Sequence, residues 1–166
     1  VFFFSTDLRE NDYLAKTICH KLYDANPETT IAAAILLGAG GAKLLEALNW
    51  QPQVYHLNES HALPLAFYLY KKFGSVADVK KRLVFTNHTP EPGGNKKTDL
   101  FLLEKMGFFC GIPLAEIREV THTQGDLLDH TLTALQLSRI TNGVSKLHLK
   151  TLHNMWEGHS EICDII

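Results

Sequence analysis

Short apolar runs alternate with amphipathic helical patterns along this chain, and the joins between them are short. Residues 1–4, 53–57 and 82–86 have the length and composition of buried strands, and residues 140–144 read as a fourth, short one. Between them lie helical patterns. Residues 12–23 predict a helix capped by Asp12 or Asn11. In residues 28–48, Ile31, Ala34, Ile35, Gly38, Ala42 and Leu45 fall on one stripe. Ala62, Leu65, Ala66, Leu69 and Phe73 mark the next helix, with Pro64 in its first turn and Gly74 at its end. Residues 98–106 and 126–138 predict two more helices, and Val144, Leu147, His148, Thr151, Leu152 and Met155 a last one. Strand and helix in alternation predict an α/β fold, a Rossmann-like parallel sheet flanked by helices.

With 166 residues, 45% of them hydrophobic and 20% charged, the chain is long enough for one domain with a substantial core. Residues 1–166 are therefore read as a single α/β domain. Sixteen Lys and Arg against eighteen Asp and Glu give a net charge of −2. No basic excess or run exists to follow a nucleic acid backbone. No apolar run approaches the roughly 20 residues of a membrane span. Cys19, Cys110 and Cys163 are odd in number and widely spaced, which reads as free thiols in a reducing cytoplasm. The chain opens within an apolar run without Met and closes on Cys163-Asp164-Ile165-Ile166, and both ends are read as those of an internal segment of a longer protein.

Parallel sheets bind ligands beyond the carboxyl ends of their strands. Two polar clusters are expected there: Asn58-Glu59-Ser60-His61 and Thr86-Asn87-His88-Thr89. Each could instead serve as caps and turns, with Asn58 or Ser60 capping a helix and Thr86 and Asn87 fixing a turn. Both on consecutive strands favour a pocket of amides, a carboxylate and imidazoles, suited to a neutral polyol such as a sugar.

Other chemistries fit less well. Gly38-Ala39-Gly40-Gly41 lacks the third glycine of a dinucleotide fingerprint and lies within a helical pattern, so close helix packing is the expectation. The histidine pairs His56/His61 and His148/His153 lack zinc-site spacing, and no metal is assigned. His148 reads as a core histidine. Cys110, in Phe108-Phe109-Cys110-Gly111, is expected to stay protonated and inert. Phe67, Tyr68, Tyr70 and Phe73 are read as core aromatics.

Several segments carry a family likeness. Residues 55–62, Tyr-His-Leu-Asn-Glu-Ser-His-Ala, resemble the L-N-E-G-H-A segment of the α-glucan (glycogen or maltodextrin) phosphorylases. Residues 85–95, around Thr86-Asn87-His88-Thr89-Pro90, are similar to their T-x-H-T-P-x-P-A-G-x. Residues 137–148, with Met155-Trp156, resemble L-S-x-x-x-N-G-V-S-K-L-H followed by M-W, and Leu37-Gly38-Ala39-Gly40-Gly41 resembles L-G-x-G-G. Thr6-Asp7-Leu8 and Asn11-Asp12 echo a T-D-L-x-x-N-D strand end. The order and spacing agree along nearly the whole chain.

The resemblance implies a fragment of the N-terminal domain of a GT-B fold. Its parent would be a cytoplasmic glycosyltransferase of carbohydrate metabolism. Such an enzyme uses inorganic phosphate to release glucose 1-phosphate from the non-reducing end of an α-1,4-glucan or maltooligosaccharide. Pyridoxal phosphate is the implied cofactor of the parent, its lysine lying outside this chain. No nucleic acid or membrane partner is implied, and a homo-oligomeric parent is left open. The likeness places His88 at the reacting glucosyl unit, its main-chain carbonyl facing the anomeric carbon. Thr89 and Gly94 would line the adjoining pocket. Glu59 and His61 would shape it and orient the loop after the third strand, with Asn58 as the adjoining amide.

The chain departs from the pattern at Ser60, Glu91, Gly93, Ala32-Ala33-Ala34 and Gln136. The isolated chain is expected to be inactive. Two alternatives stand beside this reading: a non-catalytic glucan-binding or scaffold module, and a GT-B glycosyltransferase using a nucleotide sugar.

Overall fold

The computed structural model describes residues 5–21, 24–89 and 91–159. The strand expected at 1–4 and Cys163 lie outside them. Helix α1 (Tyr13–Thr17) begins where expected, with the Asp12 carboxylate accepting from Ala15 N at 2.8 Å. It is much shorter than the pattern suggested, because the helical bonds stop at Thr17.

Asn26 caps the next helix, its Oδ1 accepting from Thr29 N at 2.9 Å, and Pro27 takes the first position, where its missing N–H is no loss. Helix α2 (Pro27–Ile35) runs through a π-helical turn (Leu36–Gly40) into α3 (Gly41–Ala47). The combined helix, Pro27–Ala47, has 21 residues and the mean hydropathy of a membrane span by length and composition. That corrects the expectation that no run approaches such a length. Within the fold, Ile31 and Ala42 pack into the core and Glu46 pairs with Lys72 at 2.5 Å.

Strands β1 (Tyr55–Asn58), β2 (Leu83–Asn87) and β5 (Ile140–Gly143) form a parallel sheet in the order β1-β2-β5. Tyr55 lies opposite Leu83, and Asn58 opposite Thr86, which lies opposite Asn142. Helices α4 (Pro64–Phe73) and α5 (Val76–Lys80) connect β1 to β2. Gly74 ends α4 at φ 79°, donating to Tyr70 O at 2.7 Å, and Ser75 caps α5. Here a left-handed conformation suits glycine.

The expected helices at 98–106 and 126–138 start later than predicted. Residues Lys97–Asp99 (β3) and Leu127–Asp129 (β4) pair as a small antiparallel ribbon instead. Each strand ends on an aspartate that caps the following helix. Asp99 Oδ1 accepts from Leu102 N at 2.8 Å ahead of α6 (Leu100–Lys105), and Asp129 Oδ1 accepts from Leu132 N at 2.9 Å ahead of α8 (His130–Leu137). Between them lies α7 (Leu114–Thr121), for which no pattern was recognised. Helix α9 (Lys146–Met155), capped by Ser145, follows β5.

The core lies on one face of the sheet. Leu57, Leu83 and Phe85 point into it and meet Leu63, Phe67, Leu69, Leu103, Phe108, Phe109 and Leu135. Phe67 meets Phe109 edge-on, with ring centroids 5.1 Å apart. Tyr68 and Tyr70 pack at the core margin and donate outward, to Glu46 Oε2 at 2.6 Å and Glu116 Oε1 at 2.8 Å. Burial pushes the Cys110 thiol up, consistent with an inert, protonated group.

Gly38 sits where the helix pair meets the start of α4. A Cβ there would lie 2.6 Å from Ala62 O and 2.8 Å from Leu65 N. Gly38 therefore serves the close backbone packing expected of this run, whereas at Gly41 a Cβ would meet nothing within 4 Å.

Candidate functional site

The two polar clusters converge at the carboxyl ends of β1 and β2. Glu59, the residue after β1, has φ 61° and ψ 178°, a region that side chains other than glycine rarely occupy. Its N–H donates to Thr86 O at 2.9 Å, continuing the ladder, while the unusual backbone turns the side chain toward β2. There the carboxylate accepts from the His88 main-chain N–H, and Oε1 accepts from Thr89 Oγ1 at 3.2 Å. Glu59 thus holds the loop after β2 through its backbone, not through the His88 imidazole, which stays exposed.

Asn87 fixes the other side of this loop. It is 1% exposed, and its Oδ1 accepts from Thr89 N at 3.2 Å and from His148 Nε2 at 3.0 Å. The turn-fixing role expected of Asn87 is present. His148 is the core histidine that was expected, and it ties α9 to the loop. Burial pushes its pKa down, with His88 adding to the shift and Glu59 opposing it, so the ring is neutral and its Nε2 donates. Gly143 makes room for that ring: a Cβ there would lie 3.1 Å from His148 Cδ2. The Asn87 amide nitrogen is buried without a partner among the described residues.

Thr86 bridges the strands on the other sheet face. His56 Nε2 lies 2.7 Å from Thr86 Oγ1, which donates to Asn142 Oδ1 at 2.8 Å. Asn58 stands on that same face by strand alternation. It neither caps a helix nor lines the cleft beside Glu59.

That cleft has a volume of about 610 Å³. Glu59, His61, Thr89 and Gly94, all expected at the site, line it. His88 stands just outside, joined through Glu59. Gly94 seats against Thr89, whose Cγ2 would lie 2.3 Å from a Cβ at position 94. The opposite wall comes from α2, where Ala33 and Ala34 leave it apolar and smooth. At that departure from the family pattern the wall carries no basic or amide group. Gln136, at another departure, has a buried Oε1 without a partner among the described residues.

Two wall residues carried no sequence signal. His130, at the start of α8, is buried, with Nε2 3.0 Å from Thr98 Oγ1 and its ring edge-on to Phe108 at 5.4 Å. Burial first, then Lys96 and His61, push its pKa down to about 3, so it is a neutral wall. Lys96 donates to Thr30 Oγ1 at 3.2 Å, and burial lowers its pKa. Both reach the cleft because the β3–β4 ribbon folds back: His130 N donates to Lys96 O at 3.0 Å. No sequence spacing encodes that meeting.

Chemically, the cleft combines the carboxylates of Glu59, already committed to hydrogen bonds, and Asp24, the amines of Lys21 and Lys96, the imidazoles of His61 and His130, hydroxyls and an apolar wall. Among the described residues no three His, Cys, Asp or Glu side chains gather as a metal site. The hydroxyls and the apolar wall suit a hydroxyl-rich ligand with apolar faces.

Comparison with known proteins places these features in context. No family model matches the chain. An uncharacterized protein of Methanocaldococcus jannaschii is 37% identical over 166 residues, covering 100% of this chain and 31% of its own length. A maltodextrin phosphorylase of Thermococcus litoralis is 34% identical, covering 94% of this chain and 20% of its own length. Among solved structures, the catalytic domain of starch synthase IV from Arabidopsis thaliana, bound to ADP and acarbose, superposes with a TM-score of 0.61 at 17% identity. That match covers 88% of this chain and 31% of that one. The chain thus spans less than a third of each of these proteins, and the structural match establishes a GT-B-type α/β fold.

Proposed function

With the chain identified as a segment of the α-glucan phosphorylase and GT-B glycosyltransferase family, we propose that it forms part of the glucan-binding cleft in the N-terminal domain of an α-glucan phosphorylase. The reaction of the whole protein is then phosphorolysis. Inorganic phosphate takes the terminal glucosyl unit of an α-1,4-glucan, the glycosidic C–O bond breaks, and glucose 1-phosphate leaves.

The observation that carries this reading is the grip of Glu59 on the His88 N–H and the Thr89 hydroxyl. Glu59 fixes the peptide that carries the His88 N–H, and the next peptide, which carries the His88 carbonyl, is held where Thr89 N donates to Asn87 Oδ1 at 3.2 Å. Directed at an anomeric carbon, a fixed carbonyl dipole stabilises the positive charge that develops as the glycosidic bond breaks. Glu59 is in this account a positioning residue. Thr89, Gly94 and His61 shape the adjoining pocket, and the alanines of α2 face the apolar side of a sugar ring.

Pyridoxal phosphate belongs to this reading as the parent's cofactor, supplying a phosphate group for proton transfer. The cleft described here does not fit it. No arginine lines the cleft among the described residues, and of its lysines, Lys21 and Lys96, the second is engaged with Thr30 Oγ1. The cofactor is therefore assigned to residues outside this chain, and no step is derived through it.

Isothermal calorimetry with maltoheptaose tests the reading. The chain is expected to bind it, and His88→Ala to weaken binding by about tenfold, the equivalent of 1.4 kcal/mol. Equal affinity in both proteins, or binding by neither, contradicts a glucan-binding role for this loop.

A further inference from the structure

Two successive peptides of the loop after β2 are held from different sides. Glu59 holds the one that carries the His88 N–H. The next joins the His88 carbonyl to Thr89 N. A trans peptide is planar, with its C=O and N–H pointing in opposite directions. Whatever fixes the Thr89 N–H therefore aims the His88 carbonyl, and that acceptor is Asn87 Oδ1, at 3.2 Å.

The Asn87 amide has one orientation. Its Oδ1 meets two donors, Thr89 N and His148 Nε2, the second at 3.0 Å. Turned over, it would set Nδ2 against both of them. The orientation kept leaves Nδ2 buried and unpaired among the described residues, in a side chain only 1% exposed. A buried donor without a partner is a cost that folds rarely bear. Here it accompanies an oxygen held between the loop and α9. Because that oxygen is the acceptor, the His148 nitrogen facing it must carry the proton.

His148 is placed by elements outside the cleft. Ser145 Oγ accepts from His148 N at 3.1 Å, and Leu149 and Leu152 are buried, which seats α9 on the core. The ring lies against Gly143, the partner of Asn87 in the sheet register. A Cβ at position 143 would come within 3.1 Å of His148 Cδ2 and 3.3 Å of Cγ, so a larger residue there pushes the ring away from its place.

We infer that His148 is a positioning residue of the cleft: through Asn87 it sets the direction of the His88 carbonyl, and Gly143 is the residue that admits its ring. Helix α9 is thereby coupled to a loop it does not itself line. The inference rests on the glucan reading for its purpose, whereas its geometry is measured without sugar.

The test is NMR of the whole chain, with calorimetry of maltoheptaose beside it. In the wild type, imidazole nitrogen shifts are expected to show His148 protonated at Nε2 and bare at Nδ1. His148→Leu fills the space without a donor. It is expected to speed amide exchange at Thr89 about tenfold while the core amides of Leu69 and Leu135 keep their protection. It is also expected to raise the maltoheptaose Kd about fivefold. His148→Gln, whose amide can donate to Asn87 Oδ1, is expected to restore most of both. Gly143→Ala leaves every hydrogen-bonding group in place and is expected to move Thr89 exchange in the same direction as His148→Leu. A purely structural role would lower the protection of the core and spare Thr89. An Nδ1–H ring in the wild type overturns the inference, as does wild-type Thr89 exchange in folded His148→Leu or Gly143→Ala. So does a folded His148→Gln no better than His148→Leu. Should His148→Leu not fold, the wild-type ring and Gly143→Ala decide. A wild type that binds no maltoheptaose contradicts the glucan reading, and the exchange measurements still decide whether His148 sets the loop.

Discussion

Glu59 carries two burdens that would ordinarily exclude each other. Its backbone, at φ 61° and ψ 178°, costs on the order of 1–3 kcal/mol for a residue other than glycine. Its carboxylate, placed by that backbone, accepts from the His88 N–H and from Thr89 Oγ1. Hydrogen bonds to a charged group contribute about 1.5–3 kcal/mol each, enough to offset the strain. Glu59→Ala keeps the strain and loses both hydrogen bonds, so urea denaturation should show a loss of about 2 kcal/mol or more. Glu59→Gln retains an acceptor oxygen and should lose less. An Ala variant as stable as wild type would show that the carboxylate does not hold the loop.

His130 adds a pH term at the same scale. Its pKa falls from the ordinary histidine value to about 3 on folding. Between those values the unfolded state binds the extra proton, so stability is fully present above pH 6.5 and is lost as pH falls toward 3. The loss is about 1.4 kcal/mol per pH unit within that window. His148, shifted down in the same direction, adds to it. His130→Phe, which keeps an aromatic ring beside Phe108 and removes the proton site, should flatten the acid limb of a plot of midpoint against pH. An unchanged acid limb would place the neutral histidine elsewhere.

Among the elements, Gly38 and Gly41 lie three residues apart in one continuous helix and predict opposite outcomes. A Cβ at Gly38 would meet backbone atoms at 2.6 and 2.8 Å, and backbone gives way only if α4 moves. Gly38→Ala should destabilise the protein by about 1–3 kcal/mol or more. At Gly41 a Cβ meets nothing within 4 Å, and Gly41→Ala should stabilise by up to about 1 kcal/mol through helix propensity. Thermal melts of the two variants check this, and equal shifts would refute the packing account.

The helix from Pro27 was legible because its cap, its proline and its apolar stripe agree. Strand β2 was legible as a short apolar run, Leu83-Val84-Phe85, and β1 and β5, which mix in polar residues, from their β-prone residues beside Pro52 and Gly143. The β3–β4 ribbon was not. Its strands are three residues each, too short for a period to register, and their pairing joins residues about 30 apart. Their terminal aspartates look like helix residues in a one-dimensional reading and serve as caps in three dimensions. Helix α7 was missed because Leu114–Thr121 spans only eight residues, too short for its buried Ile117 and Thr121 stripe to stand out in the sequence. At the site, Glu59, His61, Thr89 and Gly94 reach one cleft as expected, since strand ends bring them there. Lys96 and His130 arrive by the ribbon, and strand alternation sends Asn58 to the other face.

Over the whole molecule, one sheet face is sealed by the core while the other presents His56, Asn58 and Ile140 to solvent. The cleft has walls from α2, the β1 and β2 ends and the ribbon, and among its described lining residues no arginine stands beside Lys21 and Lys96 to hold a transferable phosphate. The account therefore expects this chain alone to release no glucose 1-phosphate from maltoheptaose and inorganic phosphate, even where it binds the sugar. A coupled enzymatic assay checks that, and turnover by the chain alone would show that the chemistry is housed here.

The central claim is that the ends of β1 and β2 form one glucan-binding rim. A heteronuclear NMR titration of the chain with maltoheptaose tests it most directly. The account predicts saturable shifts in the backbone amides of Glu59, His61, His88, Thr89 and Gly94, diminished together in Glu59→Ala. Saturation with those five amides unmoved would contradict it.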